Sequence, residues 1–417
     1  MPPRVLILAA TTAYQVDDLT AACGRLGFEA LLGTDRCHVL AETWPAGALA
    51  LDFRDPARAA SQAIAGMGAA PVAGVVATDE KTALIGGLVA ERLGLRHASL
   101  EAARAAADKR RFRERMRAAG LAHPDFALVA VGEDPRPAAR ALGYPVVIKP
   151  LHLSASRGVM RANGDGELVA RTARLAQLLA DPAVAAIAAE PDAARMFLIE
   201  RFIAGAEVAF EGLMAGGQLR RLALFDKPDP LDGPFFAETI YVTPSELPEA
   251  RQAEVAAAVG AAARAIALYE GPVHAELRLP QGAPVVLELA ARSIGGLCGR
   301  VLRFGAGIAL EEVVIAHATG LDAGELSRSG APAGGVMMLP IIEPGVLAEV
   351  RGVEEARAVP GIRDVVVTAR VGDHMVPLPE GHAYGGFIFA DGESPRAVVA
   401  ALRVAASAIR FEIRRLL

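Results

Sequence analysis

HAELRLPQGAPVVLELAAR, residues 274–292, holds two apolar stretches joined by a Pro-Gln-Gly turn, with charge at regular intervals. It reads as a pair of strands, 272–279 and 284–289. Side chains alternate across a strand, so His274, Glu276 and Arg278 share one face. Glu288, Ala290 and Arg292 share one face of the next strand. The neighbouring positions are apolar. A carboxylate pair among apolar neighbours raises its own pKa strongly unless a cation joins it. Mg²⁺ takes oxygen ligands and keeps phosphates as partners. Glu276 and Glu288 are therefore candidate metal ligands in a clamp for a Mg-nucleotide. The competing reading is a Glu–Arg ladder on a solvated face; the apolar inner positions weigh against it.

Upstream, FLIERFIAGAEVAFEGL (197–213) gives an apolar strand that ends in Glu200, a turn at Gly205, and Glu207 opening another strand. An apolar slot with backbone donors and acceptors on its rim suits an adenine, and a carboxylate beside it suits ribose hydroxyls; taken alone, two solvated glutamates at strand ends explain the segment as well. PVVIKPLHLSASRGVMRA (145–162) ends a strand in Lys149 and continues through Ser154, Ser156 and Gly158. Small residues let backbone N–H groups fold over an anion. No GK[ST] follows, so this is a hairpin flap and not a Walker loop. Only four of the 43 basic residues are lysine: Lys81, Lys109, Lys149 and Lys227. In so Arg-rich a chain, the lysines that persist are candidates for places where a compact ammonium is needed.

The remaining chain bounds the class. A length of 417 residues suits two or three domains. A 53% hydrophobic and 22% charged composition excludes a disordered chain. The net charge of −5 argues against a nucleic-acid binder, and no apolar run reaches the ~20 residues of a membrane span. Cys23, Cys37 and Cys298 match neither a disulfide framework nor a metal spacing, which suits a reducing, cytoplasmic setting. The start, MPPRVLILAA, is too short for a signal-peptide core and runs into a strand.

Residues 4–100 alternate strands (5–10, 28–35, 72–78) with helices (15–26, 56–66, 81–93), predicting a doubly wound parallel sheet. Asp35 stands where a ribose-binding acid would, but the turn AATTAY lacks the glycines of a dinucleotide fold. Asp108 caps a basic helix over 109–119. A small α+β unit covers 124–210, with 183–194 a weakly specified helix running into loop. SRSGAPAGG (327–335) reads as a linker before a β-rich tail with a helix at 395–409.

The ordered set Lys109, Lys149, small-residue loop, Glu200, Glu207, Lys227, Glu276, Glu288 and Arg292 resembles the ATP-grasp superfamily, over nearly the whole chain. The HAE strand, the ELAARSIGG turn and the DKPDPLDGPFFAETIYVTPSEL loop look most like the carboxylate-amine ligases that join amino acids. The resemblance implies an α/β architecture: a Rossmann-like domain over 1–105, an ATP-grasp α+β domain over 106–326 with a flap near 122–203, and a small β-rich C-terminal lobe over 335–417. It implies ATP and one or two Mg²⁺ as cofactors, and small-molecule carboxylate and amine substrates. A homodimer is compatible with it, and neither nucleic acid nor membrane is a partner.

Carried over position by position, Lys109 and Lys149 would hold phosphates beneath Ser154, Ser156 and Gly158. Glu200 with the backbone of Arg201, Phe202 and Ile203 would read adenine, and Glu207 the ribose. Lys227 would approach the transferred phosphate, Glu276 and Glu288 would hold Mg²⁺, and Arg292 would stabilise the oxyanion. His274 is a candidate for deprotonating the amine. Thr12, Asp79, Glu80, Glu238, Tyr241, Arg278 and the loop 293–300 are candidate substrate contacts. One departure stands out: many members place Asn two residues after the second metal Glu, where this chain has Ala290. Biotin-carboxylase-like and purine-pathway-like ligases, and a nucleotide-binding protein without ligase chemistry, are the alternatives.

Overall fold

A run as apolar as Val5–Leu8 needs cover on both faces of its sheet. The computed structural model describes residues 2–35, 47–68, 70–185, 191–324 and 326–415. In it, Arg4–Leu8 lies inside a four-stranded parallel sheet, between Glu29–Thr34 and Val72–Ala77, with Ala48–Ala50 at one edge. Val5 and Ile7 pack toward Leu19, Val313 and Val314 of the helices Val16–Arg25 and Leu310–Thr319. Leu6 and Leu8 pack toward Ala60, Ala63 and Ile85 of the helices Pro56–Gly66 and Glu80–Leu93. Asp55 and Asp79 cap the latter two helices. Asp35 accepts from Thr11 N (2.8 Å) and Thr11 Oγ1 (2.6 Å), so the acid at the ribose position of a dinucleotide fold ties down the first turn. The helix Leu100–Ala107, capped by Ser99, is an addition to the sequence reading.

The flap is a four-stranded antiparallel sheet in the order Phe126–Ala130, Met196–Arg201, Val146–Pro150, Met160–Ala162. Helices Arg136–Leu142 and Asp165–Leu179 cover one face through Ala139, Leu168 and Leu175. Residues 186–190, within the weakly specified stretch 183–194, lie outside the described residues, as does Cys37.

The largest sheet has eight strands, in the order Val285–Ala290, Gly271–Leu279, Ala206–Ala215, Gln218–Asp226, Ile240–Thr243, Ala333–Pro340, Tyr384–Gly392 and Ile362–Val367. This changes the reading of 327–335 as a linker. Ser329 N donates to Arg303 O (2.7 Å), Gly305 N donates to Ser327 O (2.9 Å), and Ala333 already begins a strand. Small residues here serve close packing, since a Cβ on Gly335 would lie 2.7 Å from Val398 and 3.1 Å from the Tyr241 carbonyl. The tail therefore shares one sheet with the central unit and is not a lobe on a tether. Among the described residues, no helix is long and apolar enough to cross a membrane.

Candidate active site

Strand register builds the floor of the site. Glu276 sits opposite Glu288 and His274 opposite Ala290. On the other side of the same strand, Glu207 faces Arg278 and Glu211 faces His274. The alternate side chains, among them Phe210, Ala275 and Leu277, pack against Val255 and Val259 of the helix Glu249–Ala265. One face of three neighbouring strands thus holds the charge and the other holds the core.

Above this floor lies a cavity open to solvent. Lys109, Lys149, Ser154, Ser156, Glu200, Arg201, Phe202, Ile203, Glu207, His274, Glu276, Glu288 and Arg292 all line it. Of the predicted set, Gly158 and Lys227 stand outside that lining. Gly158 turns away, its N–H donating to Pro379 O at 2.8 Å. Lys227 lies behind the wall, with Nζ 2.8 Å from Glu207, 2.5 Å from Glu238 and 3.4 Å from Glu276. Burial works against its charge, but the three carboxylates outweigh it and hold its pKa well above the usual lysine value. It organises the acids, which differs from the expected approach to a transferred phosphate.

Glu200 and Glu207 are also more engaged than the sequence implied. Glu200 is 1% exposed and accepts from Arg113 Nε at 2.6 Å, while Lys149 Nζ lies 2.8 Å away. Burial alone would raise the carboxyl's pKa; the Arg113 and Lys149 charges win and hold it at about 2. Glu207 meets Lys227 through one oxygen and Arg278 Nε, at 2.8 Å, through the other. Arg201 and Phe202 donate their N–H groups to the carbonyls of Asp125 and Pro145. Those two backbone donors are thus used within the protein.

The folded pKa of Glu200 lies below its unfolded value, so its contribution to stability is present above pH 4.5 and is lost as pH falls toward about 2. The difference corresponds to about 3 kcal/mol. Acid unfolding profiles of the wild type and Glu200→Gln should therefore draw together progressively as pH falls from 4.5 to about 2. A constant gap between the two profiles would refute the assignment.

Lys109 Nζ bridges Leu153 O (2.7 Å) and Glu288 Oε1 (3.2 Å), tying the flap loop to the floor. Burial and the neighbouring Glu238 push Glu276 up to about 8, with Lys227 opposing. Oxygens of Glu207, Glu238 and Glu276 lie within 4.8 Å of one another. The Lys227 ammonium sits among those three carboxylates. Glu276 also faces Glu288 in register, and these two cavity-lining carboxylates are the pair that could hold a hard divalent cation. Ala290 offers no donor.

Arg292 is clamped by Glu80, with Nε and Nη2 at 3.0 and 2.5 Å from Oε1. His274 Nδ1 lies 3.2 Å from Glu211 Oε2, and burial with the nearby Arg292 and Lys227 charges keeps the imidazole neutral. Glu211 also accepts from Ile294 N at 3.2 and 3.1 Å. Arg113 and Glu211 escaped the sequence reading, yet both had a signal. Arg113 is four residues after Lys109 on one helix, and Glu211 is four after Glu207 on one strand, so each shares a face with a residue already singled out.

Residues 142–301 match the family model described as ATP-grasp domain, and residues 337–414 match L-amino acid ligase C-terminal domain 2. The alanine–anticapsin ligase of Bacillus subtilis (strain 168) is 30% identical over 219 residues, 49% of this chain and 45% of that protein. The match thus spans less than half the length of that curated relative. The crystal structure of an L-amino acid ligase from Bacillus licheniformis superposes with a TM-score of 0.82 at 23% identity, covering 99% of each chain. The biotin carboxylase domain of the Hydrogenobacter thermophilus 2-oxoglutarate carboxylase, a dimer in complex with MgADP, ADP and bicarbonate, gives 0.69 at 16% identity over 99% of this chain and 91% of that one. Both likenesses are of fold. Taken with the ordered charges on one sheet face, the matched models lead to one conclusion: this chain carries an ATP-grasp domain over residues 142–301 and an L-amino acid ligase C-terminal domain over 337–414.

Proposed function

We propose that the protein is an ATP-dependent carboxylate-amine ligase that joins two amino acids, releasing ADP and phosphate. The observation that carries this is the pairing of Glu276 with Glu288 in register, in the same cavity as Lys109, Lys149 and the Glu80-clamped Arg292. The similarity to an alanine–anticapsin ligase supports amino acids as substrates.

Attack of a carboxylate on a triphosphate brings anions together. Lys109 and Lys149 lower that repulsion and orient the phosphates. Glu276 and Glu288 would hold Mg²⁺, which when bound supplies further neutralisation of phosphate charge. The activated acid is an acyl phosphate, whose carbonyl an amine then attacks. Arg292, fixed by Glu80, stabilises the oxyanion that develops there. His274, kept neutral and oriented by Glu211, has a lone pair for the proton the amine loses. The loop around Ser154 and Ser156 covers the phosphates and keeps water from the acyl phosphate. We place the enzyme in the cytoplasm; the buried, free thiols of Cys23 and Cys298 suit that compartment.

ADP release by the wild type should rise only when an amino acid acting as acid and another acting as amine are both present. A coupled assay over pairs of amino acids reads this directly. Equal turnover with bicarbonate and biotin would point to carboxylase chemistry. Calorimetric MgATP binding with no turnover on any pair would point to a nucleotide binder.

A further inference from the structure

The loop that covers the cavity is held in an unfavourable shape. Ala155 and Ser156, which line the cavity, have φ of 53° and 56°. L side chains disfavour this left-handed conformation, and a loop keeps it only where its surroundings fix it. Inside the loop, Arg157 N donates to Ser154 O and Val159 N donates to Ser156 O, both at 3.1 Å.

Further fixing contacts come from more than two hundred residues away. Gly158 N donates to Pro379 O at 2.8 Å, and Arg157 Nε donates to Glu380 O at 2.7 Å. The Glu380 carboxylate takes Arg174, on the flap helix Asp165–Leu179, in a two-pronged pair at 2.5 and 2.7 Å. The segment 376–382 is itself a tight turn. Gly381 N donates to Pro377 O at 2.9 Å, and a Cβ on Gly381 would lie 1.7 Å from Val376 O. The turn thus grips both the loop and the helix that backs the flap. Its carbonyls point at the residues that follow the two left-handed positions.

We propose that residues 376–382 are a latch by which the C-terminal domain holds the flap loop in its phosphate-covering shape, with Glu380 as a positioning residue. Glu380 does not line the cavity. It acts through Arg157 and Arg174: its backbone orients the first and its carboxylate restrains the helix bearing the second. The inference rests on the ATP-dependent reading for its catalytic consequence, but the loop order it predicts does not require nucleotide. It gives the C-terminal domain a task in the reaction, namely to set how well the site excludes water.

The Arg174–Glu380 side chains are 42% and 37% exposed, so deleting the pair alone would have a small effect. Glu380→Lys is the sharper test, because it places a cation against both Arg157 and Arg174. Hydrogen exchange on the full-length, ligand-free chain should show the Arg157 and Gly158 amides exchanging several-fold faster in this variant, with core amides such as Ile7 and Leu277 unchanged. With ATP and amino acids, the KM for ATP should rise about threefold to tenfold, and ADP released per amide bond should exceed that of the wild type. Arg174→Glu combined with Glu380→Arg should restore wild-type exchange in 151–160. Unchanged loop exchange in Glu380→Lys overturns the latch. Faster loop exchange in a protein whose wild type never releases ADP supports the latch and rejects the ligase reading instead.

Discussion

Lys149→Ala and Glu288→Ala should each reduce ADP release at least about a hundredfold while leaving the fold intact. That magnitude is what the loss of one preorganised charge at a reacting centre costs. The fold survives because neither change strands a buried charge. Without Lys149, Glu200 keeps Arg113 at 2.6 Å. Without Glu288, Lys109 keeps Leu153 O at 2.7 Å. Circular dichroism and thermal melting alongside the ADP assay separate the two effects. Full turnover in either variant would remove that residue from the active site.

Arg113→Met should do the opposite, destabilising the chain by about 3–5 kcal/mol, the usual consequence of taking one partner from a buried ion pair. Arg113 is 1% exposed, bonds Glu200 at 2.6 Å and Leu287 O at 2.6 Å, and does not line the cavity. Its loss leaves Glu200 with Lys149 alone and the Leu287 carbonyl without that donor. Denaturant unfolding of Arg113→Met and of Arg113→Met with Glu200→Gln distinguishes a buried carboxylate left with one cation from lost packing. The double variant should recover part of the loss. No recovery would mean that packing, and not the pair, dominates.

Much of the site was legible because strand periodicity is local. Given HAELRLP and VVLELAAR, period-two alternation places Glu276 beside Glu288, and the register bears this out. The same rule applied from Glu207 reaches Glu211, and helical spacing from Lys109 reaches Arg113. The lysine scarcity marked Lys109 and Lys149, which do line the cavity. It also marked Lys227, but composition says nothing about which partners an ammonium meets. Three carboxylates from separate strands and a loop close on it.

Many of the elements, their order and the alternation of strand faces followed from the chain alone, since they depend on neighbours two to four positions apart; the strands Ala48–Ala50 and Ile240–Thr243 and the helix Leu100–Ala107 did not. What needed the folded molecule was every pairing across long separations: Arg292 with Glu80, Glu200 with both Arg113 and Lys149, and the turn at 376–382 with the flap. The same holds for the tail, whose strands extend the central sheet where small residues read as a linker. The physical reason is common to all of them. A charge or an unpaired strand edge will accept many partners, and the one it takes is set by how the apolar faces pack, a choice made only when the whole core assembles.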